Sequence, residues 1–259
     1  MVGLYRNSLM RATSWANPKL DLSGCVLYAP LWHPRLGGNV ATVQSWPTPN
    51  NAPSTLTITG ATWGQQGRTF DGLDDLIDCG YNAAYDITGS VTLGVWFYYV
   101  TPPLGDGNYT FLAKGRTASG SNKANYILRV GYTAPNNKIQ FYYRNSANTA
   151  WHTWTSANDP LSTGNWYNLL VGFTFGTPSS LMVLVNGVNV ASGGSWTVGD
   201  GTAAPITSTE PLYIGSVFPT TGAPAGEEYY DKIGEVWVYN RLLAVTEGQQ
   251  NRLATKWRY

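Results

Sequence analysis

Charge is scarce in this 259-residue chain: Lys, Arg, Asp and Glu supply 12% of it, against about 25% in an average soluble domain. The 16 basic and 15 acidic side chains nearly cancel. No Lys/Arg stripe is present to track a phosphate backbone, which argues against nucleic acid as a partner. No apolar run approaches the roughly 20 residues that a membrane-spanning helix needs, so membrane insertion is not expected. The first twenty residues are broken by Arg6, Arg11 and Lys19 and lack the continuous apolar segment of a secretory signal. Only Cys25 and Cys79 carry thiols, too few for a disulfide framework or a thiolate metal cage. One bridge and two buried reduced cysteines both fit. His33 and His152 are the only histidines, and without a Gly-x-Ser-x-Gly elbow they give no Ser/His/Asp triad. A His/Cys zinc cluster and a Gly-rich phosphate loop are missing too.

What the chain has in quantity is aromatic rings. It is 43% hydrophobic and 14% aromatic, with 11 Trp and 17 Tyr, which excludes a disordered chain. The 29 Gly and 15 Pro are spread throughout, as in one domain with many turns. Residues 1–20 read as an arm, anchored by Leu4, Tyr5, Leu9, Met10 and Trp15, with neither a two-residue nor a 3.6-residue period. Residues 21–253 read as a β-sandwich and residues 254–259 as a tail.

About a dozen short alternating segments follow one another without a 10–15-residue amphipathic helix between them, so a parallel α/β sheet is excluded. Two packed antiparallel sheets are expected instead. Asn186-Gly187 between Val185 and Val188 is the best hairpin turn, because both residues tolerate positive φ. One short helix is expected near Val245–Leu253, held by packing, since Ala244 at its start has no side-chain oxygen. In the segment from Val91 to Tyr99, Val91, Leu93, Val95, Phe97 and Tyr99 form a core face. Trp96 and Tyr98 stand on the other face, where a solvated sheet carries polar groups; a loop, a second protein or a flat ligand must cover them. In the segment 139–144, Ile139, Phe141 and Tyr143 face the core, with Gln140, Tyr142 and Arg144 opposite.

Several segments, in their order, resemble the laminin-G-like, concanavalin-A-like lectin/glucanase jelly-roll family. They run from Val26 to Leu31, Thr59 to Trp63, Phe70 to Asp78, Ile87 to Trp96, Trp166 to Leu169, Val183 to Gly187, Pro211 to Gly215 and Ile233 to Arg241, followed by the helical segment. The resemblance covers about residues 24–250 and implies an all-β antiparallel β-sandwich of the concanavalin-A-like jelly-roll type, with one short C-terminal helix. Members serve in glycan binding, adhesion, protein interaction and surface display. The chain departs from the family at Ala244, where a Ser cap is usual.

The resemblance raises sugar hydrolysis, but the Glu-x-Asp-x-x-Glu or Glu-x-Asp-x-Glu strand of related glucanases is missing. Asp231 and Glu235 lie four apart in the non-catalytic closing segment, and Glu227-Glu228 adjoin a loop. Catalysis is therefore not expected. Asp71, Asp74, Asp75 and Asp78 concentrate four carboxylates in an otherwise charge-poor sequence, and hard oxygen ligands suit calcium. Related sandwiches hold calcium near loop ends, which makes Asp71, Asp74 and Asp231 the candidate ligands and calcium the one candidate cofactor. Tyr142, Trp151 and Trp154 are the candidate glycan platforms, since such rings stack on sugars.

The leading expectation is a non-enzymatic structural protein that self-assembles into a coat, virion decoration layer or filament, as a homo-oligomer or within a host assembly. Its contacts would be Leu4, Tyr5, Leu9, Trp15, Trp96, Tyr98, Trp257 and Tyr259, because Trp, Tyr and Arg are preferred interface anchors. The expected location is a virion or extracellular surface assembly. The alternative is a calcium-assisted carbohydrate-binding or adhesion module with a surface glycan as partner.

Overall fold

The computed structural model describes residues 19–38, 40–100, 107–116, 122–133, 136–157, 159–218 and 227–259. The assembly anchors Leu4, Tyr5, Leu9 and Trp15 lie outside these residues. In chain order the strands begin with β1 (Cys25–Pro30), β2 (Thr42–Gln44), β3 (Thr55–Thr59), β4 (Thr62–Gly64), β5 (Gly67–Asp71) and β6 (Leu76–Asp78). They continue as β7 (Ser90–Tyr99), β8 (Asn108–Arg116), β9 (Asn122–Thr133), β10 (Asn136–Arg144), β11 (Trp151–Thr155) and β12 (Asn165–Thr174). The last are β13 (Met182–Val185), β14 (Val188–Asn189), β15 (Ser195–Val198), β16 (Leu212–Ile214) and β17 (Tyr230–Tyr239), before helix α1 (Val245–Thr255).

All pairings are antiparallel and fall into two sheets. The first is ordered β14-β13-β12-β7-β17-β5-β4, with β1 also paired to β17; the second is β15-β11-β10-β9-β8-β16-β6-β3-β2. Strand β17 joins the halves of the first sheet: its start pairs with β5 and its later residues with β1, while β7 runs along its other side. The chain is a β-sandwich with one C-terminal helix, as the strand pattern requires.

The main core lies between the sheets, where the expected faces of β7 (Val91, Leu93, Val95, Phe97, Tyr99) and β10 (Ile139, Phe141, Tyr143) meet. Both outer faces carry further apolar clusters. On the first sheet, Trp96, Leu170, Leu184, Trp237 and Leu243 are buried together, largely beneath the C-terminal region. Helix α1 approaches closely because Gly248 has no side chain: a Cβ there would stand 2.7 Å from a Leu184 methyl. Asn251 of α1 donates to the Tyr239 hydroxyl at 3.0 Å. The Glu247 carboxylate accepts from the Ala244 backbone N–H at 2.7 Å, supplying the cap that Ala244 lacks. The helix runs two residues past the expected Leu253, to Thr255.

Among the described residues no helix is long and apolar enough to cross a membrane. The Asn186-Gly187 turn has φ of 51° and 80° and joins β13 to β14, as expected. Strands β2, β4 and β15 are not evident in the sequence; each spans only three or four residues, too few for alternation to register. Cys25 and Cys79 are both buried and unbridged, and burial pushes the Cys25 thiol up to about 12, so neither is a reactive thiolate.

Candidate functional site

The outer face of the second sheet carries a groove of about 280 Å³ lined by Arg116, Arg129, Tyr142, Trp151, Thr153, Val198 and Glu227. Alternation builds it. Arg129 on β9 stands opposite Gln140 on β10, and Tyr142 opposite Thr153 on β11 and Ile127 on β9. Trp151, two residues before Thr153 and on the same face, pairs with Arg144. The Tyr142 and Trp151 rings meet edge-to-face, 5.3 Å between centroids. Guanidinium groups lie over both: Arg129 is 4.4 Å from the Tyr142 ring and Arg144 is 4.8 Å from that of Trp151.

Glu227 ties the groove together. One carboxylate oxygen accepts from Arg129 Nη1 at 3.1 Å and the other from Arg116 Nη1. Arg129 Nε donates to the Gln140 side-chain carbonyl at 2.7 Å, which fixes the guanidinium plane. Tyr142 is only 4% exposed, and neither its hydroxyl nor Arg116 Nε makes a well-formed hydrogen bond, although the Arg116 side chain lies beside the phenol. Burial, partly opposed by the Arg129 charge, pushes the phenol up to about 12, so it keeps its proton at neutral pH. A cradle with two rings, fixed cations and an unsatisfied buried hydroxyl can hold a polyhydroxylated ring. Arg116, Arg129 and Glu227 were not among the expected site residues. Arg129 is legible as an outward residue by alternation on its strand, but Glu227 arrives from a distant loop and has no local signal.

Of the expected glycan platforms, Tyr142 and Trp151 come together here. Trp154 does not: it is buried between the sheets with His152 on the inward face of β11. Among the assembly candidates, Trp96 is 3% exposed because the chain's own C-terminus covers it. Its ring stacks on Tyr259 at 4.5 Å, and its Nε1 donates to the Thr255 hydroxyl at 2.8 Å. Tyr98 packs edge-to-face on Trp166, with the Lys232 ammonium 4.8 Å from its ring. Tyr259 is partly buried, and Trp257 alone of the four is widely exposed, at 71%.

Asp71 and Asp74 converge with Asp75, their carboxylate oxygens within 4.8 Å of one another. Asp231 stands outside that group and pairs with Lys232 at 2.9 Å. Burial, then the charges of Asp71 and Asp74, pushes the Asp75 carboxyl up to about 6. Glu235 is wholly buried under Tyr28, Trp32, Arg258 and Tyr259. His33 Nδ1 accepts from the Arg35 backbone, and His152 Nδ1 from Asp200 and Gly201; both are turn-forming acceptors.

The family model of the concanavalin A-like lectin/glucanases superfamily matches residues 71–247. The chain belongs to that superfamily. Solved structures similar to this superfamily member include Trypanosoma rangeli sialidase in complex with sialic acid, at 15% identity and a TM-score of 0.58, covering 92% of this chain and 34% of that one. Domain 4 of an extracellular GH43 arabinanase from Geobacillus stearothermophilus, in complex with arabinotriose, matches at 16% identity and a TM-score of 0.53, covering 89% and 98% of the two chains. The binding domain of Paraclostridial Mosquitocidal Protein 1 matches at 10% identity and a TM-score of 0.58, covering 91% and 53%. The chain thus spans about a third of the sialidase chains it matches. No curated protein matches it.

These findings overturn the expected coat, decoration-layer or filament role. The superfamily is one of lectins and glucanases, and its structural neighbours are a sialidase and an arabinanase domain. Of the described rings that motivated assembly, Trp96 is covered within the chain itself and Tyr98 and Tyr259 are partly buried, while Trp257 stays exposed. The concanavalin A-like sandwich is shared by glycoside hydrolases and lectin-like modules alike, so the fold does not choose between them.

Proposed function

We propose that this chain is a non-catalytic carbohydrate-binding module whose site is the groove on the outer face of the second sheet. The observation that carries the reading is Tyr142. Its ring borders the groove beside Trp151, and its buried hydroxyl makes no well-formed hydrogen bond. A buried hydroxyl left without one costs about 1–3 kcal/mol, and a sugar hydroxyl would supply the missing bond. The likeness to an arabinanase domain solved with arabinotriose and to the binding domain of another protein favours the same reading.

Hydrolysis is disfavoured by the groove's chemistry. Glycosidases use two carboxyl groups flanking the scissile bond. Among the described residues lining this groove, Glu227 is the one carboxylate, and both its oxygens are engaged by arginines.

A glycan array probed with the intact chain tests the proposal, run with Ca²⁺ and with a chelator because Asp71, Asp74 and Asp75 converge. Binding to a defined glycan set that falls at least about tenfold in Trp151→Ala, or about 1.4 kcal/mol, supports it. No binding in either condition, or binding indifferent to that substitution in a folded variant, overturns it.

A further inference from the structure

The charges and donors of the groove are not balanced. Arg116 and Arg129 line it and Arg144 lies over Trp151, while Glu227 is the one acidic residue lining it among the described residues. Glu227 is shared, one oxygen to each of two guanidinium groups, so the one carboxylate lining the groove faces the two arginines that line it. The buried polar atoms left without a well-formed hydrogen bond at the groove are Arg116 Nε, which can only donate, and the Tyr142 hydroxyl. A neutral sugar brings hydroxyls that both donate and accept, and leaves the charge excess in place. A carboxylate or sulfate brings acceptors alone, and the planar guanidinium fork matches either in bidentate fashion.

We infer that the groove takes an acidic saccharide, one whose carboxylate or sulfate is held by Arg116 and Arg129 while its ring lies against Tyr142 and Trp151. The inference rests on the glycan-binding reading and narrows it to a ligand class. Glu227 then has a second role. Its carboxylate already engages Nη1 of both guanidinium groups, so it preorganises the forks and also competes with an incoming anion.

Isothermal titration of the intact chain tests this with a galacturonate oligomer, a sialylated lactose and a sulfated disaccharide. Each is paired with its carboxyl-reduced, desialylated or desulfated counterpart, so the arms tell carboxylate from sulfate. The expected result is an acidic form binding at least about tenfold tighter than its neutral counterpart, the advantage shrinking as NaCl is raised. Arg129→Met should narrow the acidic-to-neutral ratio to within about twofold. Arg129→Lys, which keeps the charge and loses the fork, serves if that variant does not fold. Glu227→Gln should tighten the acidic form about threefold or more, a gain that misfolding does not produce. Neutral ligands binding as well as acidic ones overturns this inference and leaves the glycan-binding reading standing. No binding in any arm overturns both. An acidic preference unchanged in a folded Arg129→Met variant places the anion elsewhere and also overturns the inference.

Discussion

Arg258→Met should destabilise the protein by an amount that depends on pH, because its ion-pair partner is poised to give up its charge. Glu235 is fully buried on the outer face of the first sheet. It accepts from Trp32 Nε1 at 2.8 Å and the Tyr28 hydroxyl at 3.2 Å, and it pairs with Arg258. Burial pushes its carboxyl from 4.5 up to about 7 even with the arginine opposing. The folded chain therefore holds this proton more tightly than the unfolded chain. Its contribution to stability is fully present below about 4.5, falls as pH rises, and levels off above about 7. At about pH 8.5 the wild type gains about 2 kcal/mol from ionising Glu235, since each pH interval of one is worth about 1.4 kcal/mol. Without Arg258 the carboxyl stays protonated and that gain is lost; at about pH 5.5 both proteins are protonated and nothing electrostatic is lost. Independently of pH, the guanidinium lies 4.2 Å from the Trp32 ring and 4.5 Å from that of Trp257, contacts worth about 1 kcal/mol together in a partly exposed site. Urea unfolding of both proteins should show a loss of about 1 kcal/mol at pH near 5.5 and about 3 kcal/mol near 8.5. A loss equal at the two pH values would refute the reasoning, as would a pH-dependent part that survives in a Glu235→Gln background.

Three further outcomes are expected. Asp75→Asn in a chelator should raise stability at neutral pH by about 1 kcal/mol, because the buried carboxyl, raised to about 6, is relieved of facing Asp71 and Asp74; the gain should disappear below about pH 4, read by thermal melts. Gly94→Ala should cost about 1–3 kcal/mol in chemical unfolding, since the added Cβ would stand 2.8 Å from the Trp237 ring in a packed layer. Gly187→Ala places a Cβ at φ of 80° in the β13–β14 turn, and should cost about 1 kcal/mol without changing ligand affinity at the distant groove.

Much of the fold is legible because period-two alternation is imposed locally. The inward set of β7 and the opposition of Tyr142 to Tyr143 on β10 follow from counting residues, whatever lies across the sheet. The same rule misplaces Trp154 only where it is not applied. Trp151 and Thr153 share one face of β11, so His152 and Trp154 must share the other, and the structure buries both. The strands that escape notice are too short for any period to show. Capping of α1 escapes for a different reason: Ala244 has no acceptor, and the compensation comes from Glu247 reaching back to its backbone N–H.

Outward-facing rings gave one signal with two different outcomes, and the difference lies in what arrives from far along the chain. Trp96 and Tyr142 occupy equivalent positions, each a large ring on the outer face of a central strand. Over Trp96 the chain lays Thr255 and Tyr259, an aromatic stack and a hydrogen bond that satisfy ring and indole N–H together. Nothing remains for a ligand to complete. Over Tyr142 it brings Glu227, which engages two arginines and leaves the phenol unsatisfied. Burial alone does not distinguish the two, since both rings are almost wholly covered. The distinction is whether the cover also completes the polar inventory. By that criterion the cover over Trp96 itself is complete and the cover over Tyr142 is not, although Trp237 Nε1 and Asn168 Nδ2 elsewhere on the first sheet's outer face are also unpartnered; the contrast between the two rings depends on residues more than eighty positions removed from either.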